Sequence, residues 1–265
     1  MKKYWFILTA LVATCFLVAC SGSQGVSPKT IKEKKKIVVA TESEFAPFEF
    51  KSLVNGKDTL VGADIELAKA IGEKLGVKVE FSVMSFDNVL ASVQSGKADI
   101  AIAGISVTDE RKKVYDFSDS YYTSENVVIV KKDKVNDFTS ADSLAKQTVG
   151  TQKGSVQETV AKKQIPKASV VSLASNGEMI NELKSGQIQA VVLEKAIAEG
   201  YIAQNDDLTL ASFNLKSDGS DAYAVATRKG SDDLLKEINA VIKETKDSGK
   251  FDQWLKEAST YKQSK

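Results

Sequence analysis

The chain has 265 residues, 36 Lys and Arg against 35 Asp and Glu, and no His, which removes imidazole general bases, His-oriented nucleophilic triads and His metal ligands from the available chemistry. Its two cysteines, Cys15 and Cys20, are too few for a zinc-finger set or a disulfide scaffold, and a formal net charge of +1 with 27% charged residues argues against a basic nucleic-acid binder and against disorder. The 43% hydrophobic share supplies a large core, at a length that suits two compact lobes of roughly 100 residues each.

Lys2 and Lys3 precede an apolar run over 4–18, the charged-then-apolar layout of a secretory signal and short for a spanning helix. The run ends in Leu17-Val18-Ala19-Cys20, which resembles the lipobox of bacterial lipoproteins. That resemblance implies a signal peptide over 1–19, cleavage before Cys20 and a lipid anchor on its thiol. Residues 21–36, SGSQGVSPKTIKEKKK, carry Gly, Ser, Pro and Lys without apolar periodicity, so 20–36 is read as a lipid-anchored flexible linker. Sixteen such residues span roughly 20–24 Å, taking about 5–6 Å times the square root of their number. The Lys cluster suits anionic headgroups and equally suits a solubilising run.

From Ile37 onward short β-rich runs alternate with helical patterns. Strands are expected at 37–41, 77–83 and 99–104, with helices near 62–75, closed by Gly76, and near 87–94. After a strand at 126–132 the pattern resumes, with strands at 148–150, 168–173 and 190–194 and helices from Ser155 and near 178–184. Ser155 with Glu158 and Ser175 with Glu178 read as capping boxes. This alternation means βαβ units, a largely parallel sheet and an α/β fold. A strand at 224–228, an amphipathic helix at 231–247 and a short helix carrying Phe251, Trp254 and Leu255 close the chain, all with core-facing apolar sides.

A faint internal echo appears at an offset of 90 residues: SFDNVLASVQSGKADIAIAG (85–104) lies over SNGEMINELKSGQIQAVVLE (175–194). The shared grammar is N-cap, helix, Ser-Gly break and buried strand, so each half carries the same α/β unit. Ligands of open parallel sheets bind outside the carboxyl ends of strands. The echo places Gly104 and Glu194 at equivalent ends, facing one shared cleft.

Arg111 stands out by scarcity, since Arg228 is the only other Arg. Its planar fork suits a carboxylate, and in Gly104-Ile-Ser106-Val-Thr108-Asp-Glu-Arg111 it follows a buried strand, with Thr108 placed to cap a short helix. The run ADIAIAGISVTDERKKVYDFSDSYY (98–122), with ATESEFAPFEF (40–50) and GADIELAKAIGEKLG (62–76), resembles the polar amino-acid family of extracellular solute-binding proteins that feed ABC importers, similar to the glutamine-binding and lysine-arginine-ornithine-binding proteins.

The resemblance implies a two-lobed, type II periplasmic-binding-protein-like fold. Lobe 1 would comprise 37–120 plus 224–265, lobe 2 126–218, and a two-segment hinge 121–125 and 219–223. It makes Arg111 the clamp for a ligand α-carboxylate, assisted by the Ser106 hydroxyl. The Gly104 carbonyl would accept from the α-ammonium, with Glu194 as second partner in place of the family's usual Asp. In GTQKGSVQE (150–158) backbone amides at a helix start would meet the carboxylate, with Ser155 and Gln152 touching the ligand. Phe45 and Phe86 would be aromatic walls, Phe48 and Phe50 core, and Asp64 a structural helix cap. Glu42 would read the end of the ligand side chain, with Glu44 near enough to share the task.

Two Glu and stacked Phe faces favour a cationic head by charge and cation–π attraction, so the expected ligand is arginine, lysine or histidine, with glutamine as alternative. The implied partners are a free L-amino acid, an ABC permease with its ATPase, and the membrane through the anchor, for a monomeric cell-surface protein without cofactor, metal or nucleic acid. An adhesin or ligand-sensing ectodomain without transport is the reading from another class. An enzyme is disfavoured: G-x-S-x-G and P-loop patterns are absent, and Ser143-x-x-Lys146 has no K-T-G companion.

Overall fold

The computed structural model describes residues 25–216, 219 and 221–264; the signal-peptide and Cys20 expectations lie outside them. In chain order these residues form α1 (Pro28–Lys34), β1 (Lys36–Thr41), a hairpin sheet of β2 (Glu44–Phe45), β3 (Glu49–Val54) and β4 (Lys57–Val61), then α2 (Ala63–Leu75), β5 (Lys78–Val83), α3 (Phe86–Gln94), β6 (Ile100–Ala101), α4 (Asp109–Lys112) and β7 (Tyr115–Phe117). The strand β8 (Tyr122–Thr123) leads to β9 (Asn126–Lys131), β10 (Thr148–Gln152), α5 (Val156–Gln164), β11 (Ser169–Leu173), α6 (Asn176–Ser185), β12 (Ala190–Glu194), α7 (Lys195–Ala203) and β13 (Leu208–Leu215). The chain returns through β14 (Ala222–Tyr223) and β15 (Ala226–Arg228) to α8 (Asp232–Asp247) and α9 (Lys250–Ala258).

Two five-stranded mixed sheets, each the centre of one lobe, run β5-β1-β6-β15-β7 and β11-β10-β12-β9-β13. They agree position by position. In each, the second strand pairs parallel with its neighbours, β1 with β5 and β6, β10 with β11 and β12. In each, the fourth strand, β15 or β9, is antiparallel to both neighbours. The 90-residue echo therefore superposes α3–β6 on α6–β12. Val127 to Val130 of β9 are all buried, the continuous β-branched run of a strand covered on both faces.

The chain crosses between sheets twice, and the crossing strands β8 and β14 pair antiparallel, Ala222 with Thr123 and Tyr223 with Tyr122. Tyr223 is fully buried there, ringed by Phe45, Phe48, Tyr121 and Tyr122 at centroid distances of 5.4–6.3 Å. After β15 the apolar stripe of α8, Leu234, Leu235, Ile238, Val241 and Ile242, is buried, and α8 and α9 pack on α2.

The flexible linker over 20–36 needs correction. Residues 28–34 are helical, with Ser27 and Thr30 in a reciprocal capping box and Pro28 at the first turn. Ile31 is fully buried and Val26 nearly so; the Val26 amide donates to Ser231 Oγ at 2.8 Å, and β1 begins at Lys36. One buried face residue makes no visible period, which is why the segment reads as solvated. Of its lysines, Lys34 pairs with Asp99 at 3.3 Å and Lys36 with Glu80 at 2.7 Å.

Candidate ligand-binding site

Arg111 is held by local chemistry first. Thr108 caps α4 by accepting the Arg111 amide at 3.1 Å. The side chain then turns back, so that Nη1 donates to the Ser106 carbonyl at 2.7 Å and Nη2 reaches the Gly154 carbonyl of the other lobe at 3.1 Å. Its Cζ stands 5.8 Å from the centre of the Phe86 ring, within cation–π range. Loss of hydration lowers its pKa to about 10, opposed by Glu194 and Tyr115, so it remains a cation at neutral pH. Arg228, by contrast, donates to the carbonyls of Val93 and Ala98, both at 3.1 Å, and ties α3 to β15.

Gly104, just past β6, has φ +53, and a Cβ there would come within 2.5 Å of Phe45 Cε1. Only glycine lets the turn and the aromatic ring coexist. The early end of β6 follows, because the Gly104 amide is taken by Asp64 Oδ2 at 3.1 Å. Ser106 is buried and bridges to Tyr223. Phe45 and Phe86 are buried, on β2 and at the start of α3.

Four more candidates stand at strand or helix ends. Glu42 follows β1, and its Oε2 accepts from Gln152 Nε2, at the end of β10, across the lobes at 2.9 Å. Its Oε1 is buried without a partner. Burial, with Glu44 and Glu194 nearby, pushes its pKa up to about 8. Glu194 ends β12 and is buried; burial raises it to about 7, although the Arg111 charge pulls the other way. Ser155 caps α5, its Oγ accepting from the Glu158 amide at 3.3 Å, while the first amides of any helix point out of that end.

The structure thus gathers Glu42, Phe45, Phe86, Gly104, Ser106, Arg111, Gln152, Ser155 and Glu194 where the lobes meet. Two readings of neighbours change. Glu44 turns away to the start of α6, accepting from the Gly177 amide at 2.9 Å, while its carbonyl accepts from Tyr201 Oη at 3.1 Å. Asp64 is not a cap: Gly62 holds that position, and Asp64 Oδ2 also accepts from Tyr121 Oη at 2.8 Å. Sequence reasoning missed Glu49, buried on β3, and the Lys153–Asp87 ion pair at 2.8 Å between lobes. Neither has a local signal, since each needs two distant segments brought together. A groove of about 910 Å³ between α6, α7 and the C-terminal tail includes Glu44, Tyr201 and Gln263 but none of the nine residues above.

A profile of the bacterial extracellular solute-binding proteins, family 3, matches residues 37–258. The chain belongs to this family. Among curated relatives it is similar to the arginine-binding extracellular protein ArtP of Bacillus subtilis, 35% identical over 97% of each chain. The ABC transporter glutamine-binding protein GlnH of the same organism is 32% identical over 97% of this chain and 98% of its own. Among solved structures, the amino acid ABC transporter substrate-binding protein AbpA of Streptococcus pneumoniae, bound to L-arginine, is 50% identical with a TM-score of 0.86, covering 89% of this chain and all of its own. The family member described here is a polar amino-acid solute-binding protein of ABC transport and not an enzyme; such proteins are exported, and no helix among the described residues is long and apolar enough to cross a membrane.

Proposed function

We propose that the chain captures a cationic L-amino acid, arginine foremost, by closing its lobes over it, and delivers it to a permease and its ATPase. One observation carries this reading: Glu42 is buried between the lobes with Oε1 unpartnered, beside Glu194, with Arg111 as the opposing cation. Arg111 clamps the α-carboxylate with help from Ser106 and the start of α5 at Ser155; the Gly104 carbonyl and Glu194 take the α-ammonium. Phe45 and Phe86 flank the side chain, and Glu42 with Gln152 receives its guanidinium. The arginine-bound relative supports the same ligand.

In this reading lobe 1 is 37–120 with 224–265, to which the docked segment 26–36 is added, lobe 2 is 126–218, and the crossing segments 121–125 and 219–223 serve as the hinge; ligand contacts to both lobes favour the closed state. Residues 17–20 support a lipid anchor on Cys20, which would tether the protein at the outer face of the membrane.

Glutamine is the second reading, favoured by the burial of Glu42, which pushes its pKa up to about 8 and so favours a protonated carboxyl that can meet a neutral amide. Calorimetric titration of arginine, lysine, histidine and glutamine into wild type and Glu42→Gln separates them. A hydrogen bond to a charged group contributes about 1.5–3 kcal/mol, so the variant should weaken arginine roughly tenfold to a hundredfold and leave glutamine nearly unchanged. Equal losses for both would show that Glu42 does not read the ligand head.

A further inference from the structure

Behind Gly104 lies a pair of carboxyl groups that the ligand contacts above do not use. Gly62 sits at φ +131 with no room for a Cβ, which would fall 2.0 Å from the Phe48 carbonyl oxygen. That close approach lets the Ala63 and Asp64 amides donate to the carbonyls of Pro47 and Phe48 at 3.1 and 2.9 Å. The first turn of α2 is thereby laid against the start of β3, and Asp64 meets Glu49. Both residues are fully buried. Asp64 Oδ2 is satisfied by Gly104 and Tyr121, yet Asp64 Oδ1 and both Glu49 oxygens find no N–H or ordinary O–H donor, although the two carboxyls are in side-chain hydrogen-bond contact.

Two ionised carboxylates in contact, away from water, repel each other and leave their lone pairs unsatisfied. One proton between them removes both costs. We propose that Glu49 and Asp64 share a single proton, carried on Glu49 and donated to Asp64 Oδ1, and that this proton positions Gly104 and Tyr121 for ligand binding. Glu49 is then a positioning residue acting through Asp64. The charges facing it are Asp64 from α2, Glu42 after β1 and Glu194 from β12; the Tyr121 and Tyr223 phenols also face it. All are acids or neutral, so none compensates a second negative charge. Burial accordingly pushes Glu49 well above the carboxylate range and Asp64 up to about 6.

The consequence reaches the site by two routes. Through Gly104 the Asp64 carboxylate fixes the strand end whose carbonyl faces the cleft, and through Tyr121 it fixes the residue that enters β8. The proton itself is independent of any ligand; only its effect on affinity rests on the amino-acid reading.

Infrared difference spectroscopy of the full chain at neutral pH, wild type minus Glu49→Gln, should show a protonated-carboxyl C=O band. Titration of arginine should then find Glu49→Gln within about threefold of wild type, because an amide still donates to Asp64, and Glu49→Ala weaker by about tenfold or more. A difference spectrum without the acid band overturns the shared proton. A Glu49→Gln variant that folds but loses arginine by more than about tenfold overturns the positioning role. Should Glu49→Ala fail to fold, the spectrum and the Gln variant still decide. Should no amino acid bind wild type, the spectrum stands and the functional reading alone fails.

Discussion

Replacing Arg111 with Ala tests the whole proposed site. The guanidinium is anchored by the Ser106 carbonyl at 2.7 Å, reaches the opposite lobe at Gly154 and stays charged at neutral pH. If it clamps the ligand α-carboxylate, its loss leaves that carboxylate buried and unpaired, which costs roughly 3–5 kcal/mol. At about 1.4 kcal/mol per decade this is a hundredfold to several thousandfold in affinity. The fold should survive, because α4 contributes no buried residue; thermal unfolding of the ligand-free protein should move little. Arg111→Lys should recover only part, since it keeps the charge and loses the fork. Calorimetry with free amino acids and with their carboxyl amides reads the effect: amidation should hurt wild type severely and the Ala variant hardly at all. If the Ala variant binds within about threefold of wild type, under roughly 1 kcal/mol, the carboxylate lies elsewhere and the assignment of the other residues falls with it.

Stability of the ligand-free protein should fall as pH rises from about 4.5 to about 8, because Glu42, near 8, and Glu194, near 7, hold protons in the closed fold that the unfolded chain has lost; thermal unfolding that stays flat across this range would refute the buried-acid reading. Over the same range arginine affinity should rise by up to about tenfold per pH unit below the Glu42 pKa, as binding expels that proton; calorimetry in buffers of different ionisation enthalpy would expose its release, and an unchanged affinity would argue for a neutral head. Ile31→Ala should destabilise the fold by about 2–5 kcal/mol, whereas a free linker would register nothing in a denaturant melt.

The parts of the fold that were legible are those with local grammar. The β-branched runs of β9 and β12, the Ser155 and Ser175 caps and the Gly76 stop all signal within a few residues. The same grammar repeats at an offset of 90 residues and marks one α/β unit in each half, the unit that the two sheets share. Arg111 was legible because it is scarce and follows a strand, and Thr108 supports it as expected. What stayed hidden depends on chain segments that meet only in three dimensions. Gln152 reaches Glu42 across 110 residues, and Glu44 finds the start of α6 across 133. Asp64 looked like a cap because helix starts favour Asp, but Gly62 brings β3 so close that the carboxylate turns toward Gly104 instead. The α1 segment carries no visible signal because its buried apolar side chains are only Val26 and Ile31, and two apolar residues make no period.

On the proposed reading, charge pairing links ligand choice to closure. Four buried acids lie at the lobe contact and behind it, Glu42 and Glu194 in front and Glu49 and Asp64 behind Gly104, and Arg111 faces Glu194. Glu49 stays neutral by sharing its proton with Asp64, whose remaining charge is spread over Gly104, Tyr121 and that proton. An α-carboxylate satisfies Arg111, and an α-ammonium satisfies Glu194. Glu42 is then left either protonated or opposite a cation. Closing over a neutral amide leaves it protonated, so affinity is insensitive to pH through this group. Closing over a guanidinium ionises it, at the cost of expelling a proton held near pKa 8 and with the gain of a buried ion pair that also accepts from Gln152. Such a pair is favourable only when its hydrogen bonds are complete, and the unpartnered Oε1 supplies the second acceptor that a two-pronged guanidinium needs. An ammonium, a point donor without that fork, would complete fewer of those bonds, which ranks arginine above lysine at this position.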